Sequence, residues 1–470
     1  MRKGLLLLVL SPLAACGDDS SENSFPVRDC SDPSITSATC VEIKGGDVNG
    51  LLTATNSLTA DTTIVLGKGV FAMTNEVSIQ NVANVHLLGQ GIGETVLDWA
   101  GVTAQVNGIA ALNANGFLVE DFTVKNSVKD GIRVEASDRV TYRKIEATWD
   151  TPLASTNGAY GIYPVKSKHV LVEDSIASNA SDAGLYVGQC QYAIVRRNEV
   201  YGNVAGLEIE NTQYADVYDN NVHDNTGGLV IFDLPGNPIV GRDIRVHDNQ
   251  VYDNNGINFA PGGTVAAIPV GTGTFAMASR RVEIVDNTYS NNNTVDIAIV
   301  SGLIIEQDQS KWTLDTSSPA FVGEVSDLNL LPGFNADGSP RPDANLVSNF
   351  RGENIRIAGN THAMSGDKID LFDPNMLGIM LQALYGPLSK PVDSIVYDTI
   401  GETDLDSNDN HICAGDNTGG SFASLDFAAQ AAQIGSPIRR FDAPPRDRTA
   451  GAQFDCNAIA GAAISVWNGN

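Results

Sequence analysis

The chain has 470 residues, with 29 lysines and arginines against 56 aspartates and glutamates, a formal charge of −27. So acidic a composition disfavours nucleic acid and anionic lipid headgroups as partners. It also weighs against a polyanionic ligand, except where basic residues gather locally or cations bridge.

The first fifteen residues carry Arg2 and Lys3, an apolar run from Leu5 to Leu10, and Ala14 and Ala15 before Cys16. That order is a secretory signal, and its apolar run is too short to cross a bilayer. Leu13-Ala14-Ala15-Cys16 resembles the bacterial lipobox. The resemblance implies that residues 1–15 are removed and that Cys16 is acylated, anchoring an exported chain to the cell envelope. Gly17 in place of an aspartate then implies the outer membrane, in a cell that has one. Residues 17–29 (GDDSSENSFPVRD) are acidic with little to bury and form a tether, so 16–44 is expected as the anchor and linker. An odd number of cysteines remains for an oxidising compartment. Proximity pairs Cys30 with Cys40 and Cys413 with Cys456, leaving Cys190, in GLYVGQCQYAIV, as a small buried hydrophobe.

Val48, Leu51, Leu52, Thr55 and Leu58 fall on one helical face, so 47–59 is expected as a cap helix. Beyond it the chain repeats. A glycine followed by an aliphatic residue opens GIRV at Gly131, GIYPV at Gly161, GLYV at Gly184, GLEI at Gly206 and GLVI at Gly228. Downstream of each, VLVEDSIASN, AIVRRNEVYGN, ADVYDNNVHDN, IRVHDNQVYDN and VEIVDNTYSNN align Asp174, Asn198, Asn220, Asn249 and Asn287, and then Asn179, Asn203, Asn225 and Asn254. A period of about 22 residues fits three short strands and three turns, one coil of a solenoid. The fixed leucine spacing and helical half of a leucine-rich repeat are missing, and a β-sandwich would not hold one register for so many turns. Asparagine suits such turns because its amide bonds neighbouring backbone and it tolerates left-handed geometry. The expected architecture is all-β: a single parallel solenoid over 45–410, capped at one end by the helix and at the other by 411–470, closed by Cys413 and Cys456. Interruptions at STNGAY before Gly161, at LPGNPIV around Pro235, and at 302–350 are read as loops walling a groove.

These coils resemble the right-handed parallel β-helix superfamily of pectate lyases, polygalacturonases and alginate epimerases. The segment AYGIYPVKSKHVLVEDS, the asparagine-rich coils and the lipoprotein start are similar, more closely, to a family of exported parallel β-helix repeat proteins. The resemblance implies a right-handed coil, a function unassigned for the family, and a second exported protein encoded beside this one as a possible partner.

Alternation along each GIxV strand points the residues between the aliphatics outward, and coils stack them about 4.8 Å apart. Two residues after each glycine stand Arg133, Tyr163, Tyr186, Glu208 and Val230; four or five after stand Glu135, Lys166, Gln189, Glu210, Asn211 and Asp233. Aromatic faces for pyranose rings beside charged and amide groups for hydroxyls and carboxylates make a polysaccharide face, with Glu135, Gln189, Asn211 and Asp233 as binding groups. For uronate lyase chemistry, Lys166 or Tyr163 is the base, Tyr186 the acid and Arg133 the group that neutralises the carboxylate. For hydrolysis, Glu208 and Glu210 stand about 6.6 Å apart along one strand face, within the range of acid–base pairs. The epimerase motif Tyr-Gly-Phe-Asp-Pro-His resembles Tyr160, Gly161, Ile162, Tyr163, Pro164 and Val165, but Tyr163 and Val165 replace its reactive Asp and His. The Asp-rich segments of polygalacturonases are missing too. Arg439, Arg440, Arg446 and Arg448 loosely resemble an Arg/Pro pattern of pectate lyases, but lie in the expected cap. His86, His169, His223, His247, His362 and His411 are scattered without zinc spacing, so no metal site or cofactor is expected, and Ca²⁺ stays open only because carboxylates abound. Two readings follow: an envelope enzyme that cleaves a polysaccharide, as a lyase slightly before a hydrolase, or a non-catalytic scaffold that holds glycan or protein on the same face.

Overall fold

The computed structural model describes residues 27–366, 376–388, 391–402, 407–425, 446–447 and 454–456. Cys16 and its flanking signal lie outside them, as do Arg439, Arg440 and Arg448. The chain forms a right-handed parallel β-helix. One face is a 12-stranded sheet and the other two faces merge into a 20-stranded sheet; neighbouring coils pair in parallel. In one coil, Ala183–Gly188 lies on the first face, Gln191–Arg196 on the second and Glu199–Tyr201 on the third.

Why this sequence coils is visible in its columns. Ile162, Leu185, Leu207 and Leu229 align across the first face, as do Val170, Ala193, Ala215 and Ile244 across the second, and all point into one interior core. A single coil cannot bury such a column; stacking does. The interior Cβ positions are tight where the faces meet, and a side chain on Gly161 would strike the Gly184 carbonyl, so the glycine that marks each repeat is needed for close approach rather than for a turn.

The asparagines line up inside. Asn198, Asn220, Asn249, Asn287, Asn360 and Asn417 form one ladder, each side-chain amide donating to the next at 3.0, 2.9, 2.9, 3.1 and 2.9 Å. Asn203, Asn225, Asn254 and Asn292 form a second, at 3.0, 3.0 and 3.2 Å. Two expected members stand one residue out of register. It is Ser175, not Asp174, whose backbone N–H meets Asn198, and Ala180, not Asn179, that meets Asn203. Asp174 points outward to Arg197 instead. The left-handed turn residue is the one before each first-ladder asparagine: Asp219, Asp248 and Asp286 have φ of 55°, 53° and 56°. The amides therefore serve as internal rungs, and the turn conformation falls to their neighbours.

The helix spans Val48–Asn56, capped by Asp47, whose carboxylate accepts from the Gly50 N–H at 2.9 Å; Leu51 is buried against the first coil. At the other end the coils run on past residue 410, since Ile355 pairs with Ile412 and Ile395 with Phe422. Phe454 then packs on Phe422. Disulfides join Cys30 to Cys40 and Cys413 to Cys456. Cys190 is a buried free thiol, and it does more than fill space. It occupies a rung of hydroxyls formed by Ser137, Ser167 and Thr212, its sulfur 3.2 Å from the Gly188 carbonyl. His223 and His247 belong to different faces. His223 is stacked between Tyr201 and Tyr252, and His247 lies on Tyr218.

Candidate functional site

The first face divides into two parts. Its later coils present Val230, Phe232, Phe275, Met277, Ala298 and Val300 outward, and all of these are buried. Residues 302–350, with a three-stranded antiparallel sheet, lie over them through Leu303, Ile304, Trp312 and Phe350, joined by Leu381, Leu384 and Tyr385 of the helix Met376–Tyr385. The insertion is pinned by Asp327, whose carboxylate takes both terminal nitrogens of Arg242 at 2.5 and 2.6 Å. A further interruption, not among the three read from the sequence, follows Tyr252 and brings Phe259, Val265 and Ile268 to the same apolar cluster.

The earlier coils are partly exposed at Arg133, Glu135 and Lys166, while Tyr186 is buried and Tyr160 and Tyr163 pack against the same apolar cluster. Arg133 donates to Glu135 at 2.7 Å, and Lys166, half exposed, stands 3.5 Å from the other oxygen of Glu135. Tyr160, Tyr163 and Tyr186 form a triangle of rings with centroids 4.5, 4.7 and 4.8 Å apart, and the Arg133 guanidinium lies 5.3 Å from the centre of Tyr163. Gly188 permits this packing, because a Cβ there would strike the Tyr186 ring.

Between these coils and the covered part sits an acidic cluster. Glu208 and Glu210 are almost fully buried, one coil from Val230 and Phe232. Glu210 accepts from the Asn237 amide at 2.8 Å and from the Tyr186 hydroxyl. Asp182 accepts from the Tyr160 hydroxyl at 3.2 Å, and Gly263 of the covering loop passes above it. Asp182 Oδ1 and Glu208 Oε1 are buried without a hydrogen-bond partner. Burial, reinforced by the negative charge of Glu210 and Asp130, pushes the Asp182 carboxyl up to about 7. Burial also holds Glu208 well above the usual carboxylate range, with Asp182 and Glu210 adding to it, and raises Glu210. Asp130, at the far side of the tyrosines, is raised to about 6 for the same first reason. The phenols of Tyr160, Tyr163 and Tyr186 are raised by burial, so they remain neutral donors.

Of the residues expected here, Arg133, Tyr163, Tyr186, Glu208 and Glu210 share one region, with Glu135 and Lys166 as its rim. The column four or five residues after each glycine is in fact two columns. Glu135, Val165, Gly188 and Glu210 pair across the sheet, whereas Lys166, Gln189 and Asn211 are left-handed residues ending each strand, with φ of 51°, 52° and 42°. Asn211 and Asp233 are wholly buried and clamp the loop around Pro235. Asn211 donates to the Ile239 carbonyl at 2.8 Å, and Asp233 accepts from the Gly241 N–H at 2.9 Å. They hold a wall, with no surface left for a ligand. Asp130, Tyr160, Asp182 and Asn237 were missed. The first three precede the repeat glycines, a column that reads Asp130, Tyr160 and Asp182-Ala183 and was legible, whereas Asn237 comes from a loop whose path no periodicity gives. Among the described residues, no group of three or more His, Cys, Asp and Glu side chains is arranged to hold a metal ion.

The coil and face together define a right-handed parallel β-helix protein. Residues 107–310 match the family described as the right handed beta helix region. No curated protein matches the chain in sequence. Similar solved structures include the catalytic unit of a GH87 alpha-1,3-glucanase from Streptomyces thermodiastaticus, at 13% identity and a TM-score of 0.45, covering 81% of this chain and 51% of that one, about half its length. The A-module of mannuronan C-5 epimerase AlgE6 from Azotobacter vinelandii gives 13% and 0.43, over 80% and 90% of the two chains. Pectate lyase Pel9A gives 10% and 0.42, over 89% and 90%. Similarity this low says nothing about reaction or substrate.

Proposed function

We propose that the earlier coils of the first face bind a polysaccharide and that the acidic cluster hydrolyses it. The observation that carries this is the pair of buried carboxyl oxygens without partners, Asp182 Oδ1 and Glu208 Oε1, beside three tyrosine rings. A protonated Glu208 gives its proton to the glycosidic oxygen as the C–O bond breaks. Asp182 in its ionised form takes a proton from the water that attacks the anomeric carbon, and the glycan gains one reducing end. The lyase reading is less well supported: Lys166 is paired with Glu135, and a phenol raised by burial makes Tyr163 a poor base.

The mature protein in detergent, incubated with a polysaccharide panel, is expected to release reducing ends without ultraviolet-absorbing unsaturated product, and Glu208→Gln to abolish the release. Unsaturated product would sink hydrolysis in favour of elimination. Silence in both channels with glycan still bound would leave the non-catalytic scaffold, which the same aromatic face supports. We propose also that Cys16 anchors the chain to the envelope, at the outer membrane where one exists. Fatty-acid labelling that persists in Cys16→Ala would refute the anchor.

A further inference from the structure

The sign of the site bears on what it holds. Asp130, Asp182, Glu208 and Glu210 gather around the three tyrosines, while the cations of the same face are already committed. Arg133 and Lys166 share the two oxygens of Glu135, and Arg133 lies against Tyr163 as well. Lys129 stands by Asp130 at the edge of the region. Two hydroxyls are also spent, Tyr160 on Asp182 and Tyr186 on Glu210. What remains for a ligand is the free oxygens of Asp182 and Glu208, both in low-dielectric surroundings, and aromatic faces.

Those oxygens suit hydroxyl or amine donors. A carboxylate on each sugar ring would instead stand beside Asp130 and Asp182, both ionised in part at pH 7, with Arg133 and Lys166 already facing Glu135, and poorly screened like charges repel strongly. We infer that this site takes a glycan free of carboxylates, built from neutral or amino sugars, and rejects polyuronates. The inference rests on the glycan reading above and fixes its substrate class, against the uronate expected from sequence. The raised proton affinities of Asp130 and Asp182 agree, since a further negative charge would have to raise them more.

Calorimetric titration of the mature protein at pH 7 with equal-length oligomers of neutral glucose, of glucosamine and of galacturonate tests it. The neutral or amino oligomer is expected to bind at least about tenfold more tightly than the uronate. Glu135→Gln frees Arg133 and Lys166, and is expected to shift the ratio of uronate to neutral affinity about fivefold toward uronate. Uronate binding equal to or tighter than the others in the unaltered protein overturns the inference while sparing the glycan reading. An unchanged ratio in Glu135→Gln shows that the paired cations do not set the preference, and likewise overturns it. Failure of all three oligomers to bind overturns the glycan reading itself, and this inference falls with it.

Discussion

The two parts of the first face are built on the same coil and fare differently. From Gly227 to Val300 the outward column is Val230, Phe275 and Ala298, with Phe232, Met277 and Val300 beside it, and loops cover it as a second core. From Ile132 to Glu210 the same column is Arg133, Tyr163, Tyr186 and Glu208. The β-helix itself is indifferent to what its outer face carries, because the interior columns supply the fold. Outward residues therefore decide whether a stretch becomes core or site. The acidic cluster falls where the two meet, and there Glu208 and Glu210 are buried.

Breaking the covered part should cost most. Trp312 is fully buried against Gly302. Trp312→Ala is expected to lose about 3–5 kcal/mol and to expose the apolar face, read by urea unfolding and by binding of a hydrophobic dye. Unchanged stability would mean that the insertion does not hold the covered part together. Beneath both parts runs the amide ladder. Asn249 accepts from the Asn220 backbone and side chain and donates to Val217 and Asn287. Asn249→Ala strands several buried polar groups and is expected to cost at least about 2 kcal/mol, without opening either part.

The boundary is sharpened by pH. Asp130, Asp182 and Asp233 have folded-state proton affinities raised to about 6, 7 and 7, so the native state binds more protons than the unfolded chain between about pH 4 and 7. Their contribution to stability is therefore fully present below pH 4 and lost as pH rises through 6 to 7. Asp327 and Glu173, each lowered to about 2, act in the opposite sense, and their contribution is lost only as pH falls below about 4. Melting temperature is expected to decline from pH 5 to 8, and Asp182→Asn to flatten part of that decline; a slope unaffected by the substitution would place the titration elsewhere. The smallest effect belongs to the rim. Lys166 is half exposed and its pairing with Glu135 is screened, so Lys166→Ala should change stability by less than about 0.5 kcal/mol and hydrolysis by less than about threefold. A loss of catalysis comparable to that of Glu208→Gln would return Lys166 to the role of base.

The sequence determined the coil. A period near 22 residues, with glycine, aliphatic and asparagine columns, admits few ways to bury each repeat, and the pairing of Leu185 with Leu207 and Leu229 follows. Arg133, Tyr163, Tyr186 and Glu208 were legible as one outward column, and Glu210 as a member of the next, for the same reason, strand alternation. Two things were not. A one-residue slip at Asp174 and Asn179 cannot be seen by eye, because the left-handed residue and the internal rung are adjacent and both favour Asp or Asn. Burial of Glu208, Asn211 and Asp233 depends on loops that follow no period and come from as far along the chain as Asn349, whose amide meets Asp233 at 2.9 Å. Local spacing fixes where a side chain points, but only the path of distant segments decides whether water reaches it, and that is what turned outward carboxylates into buried acids.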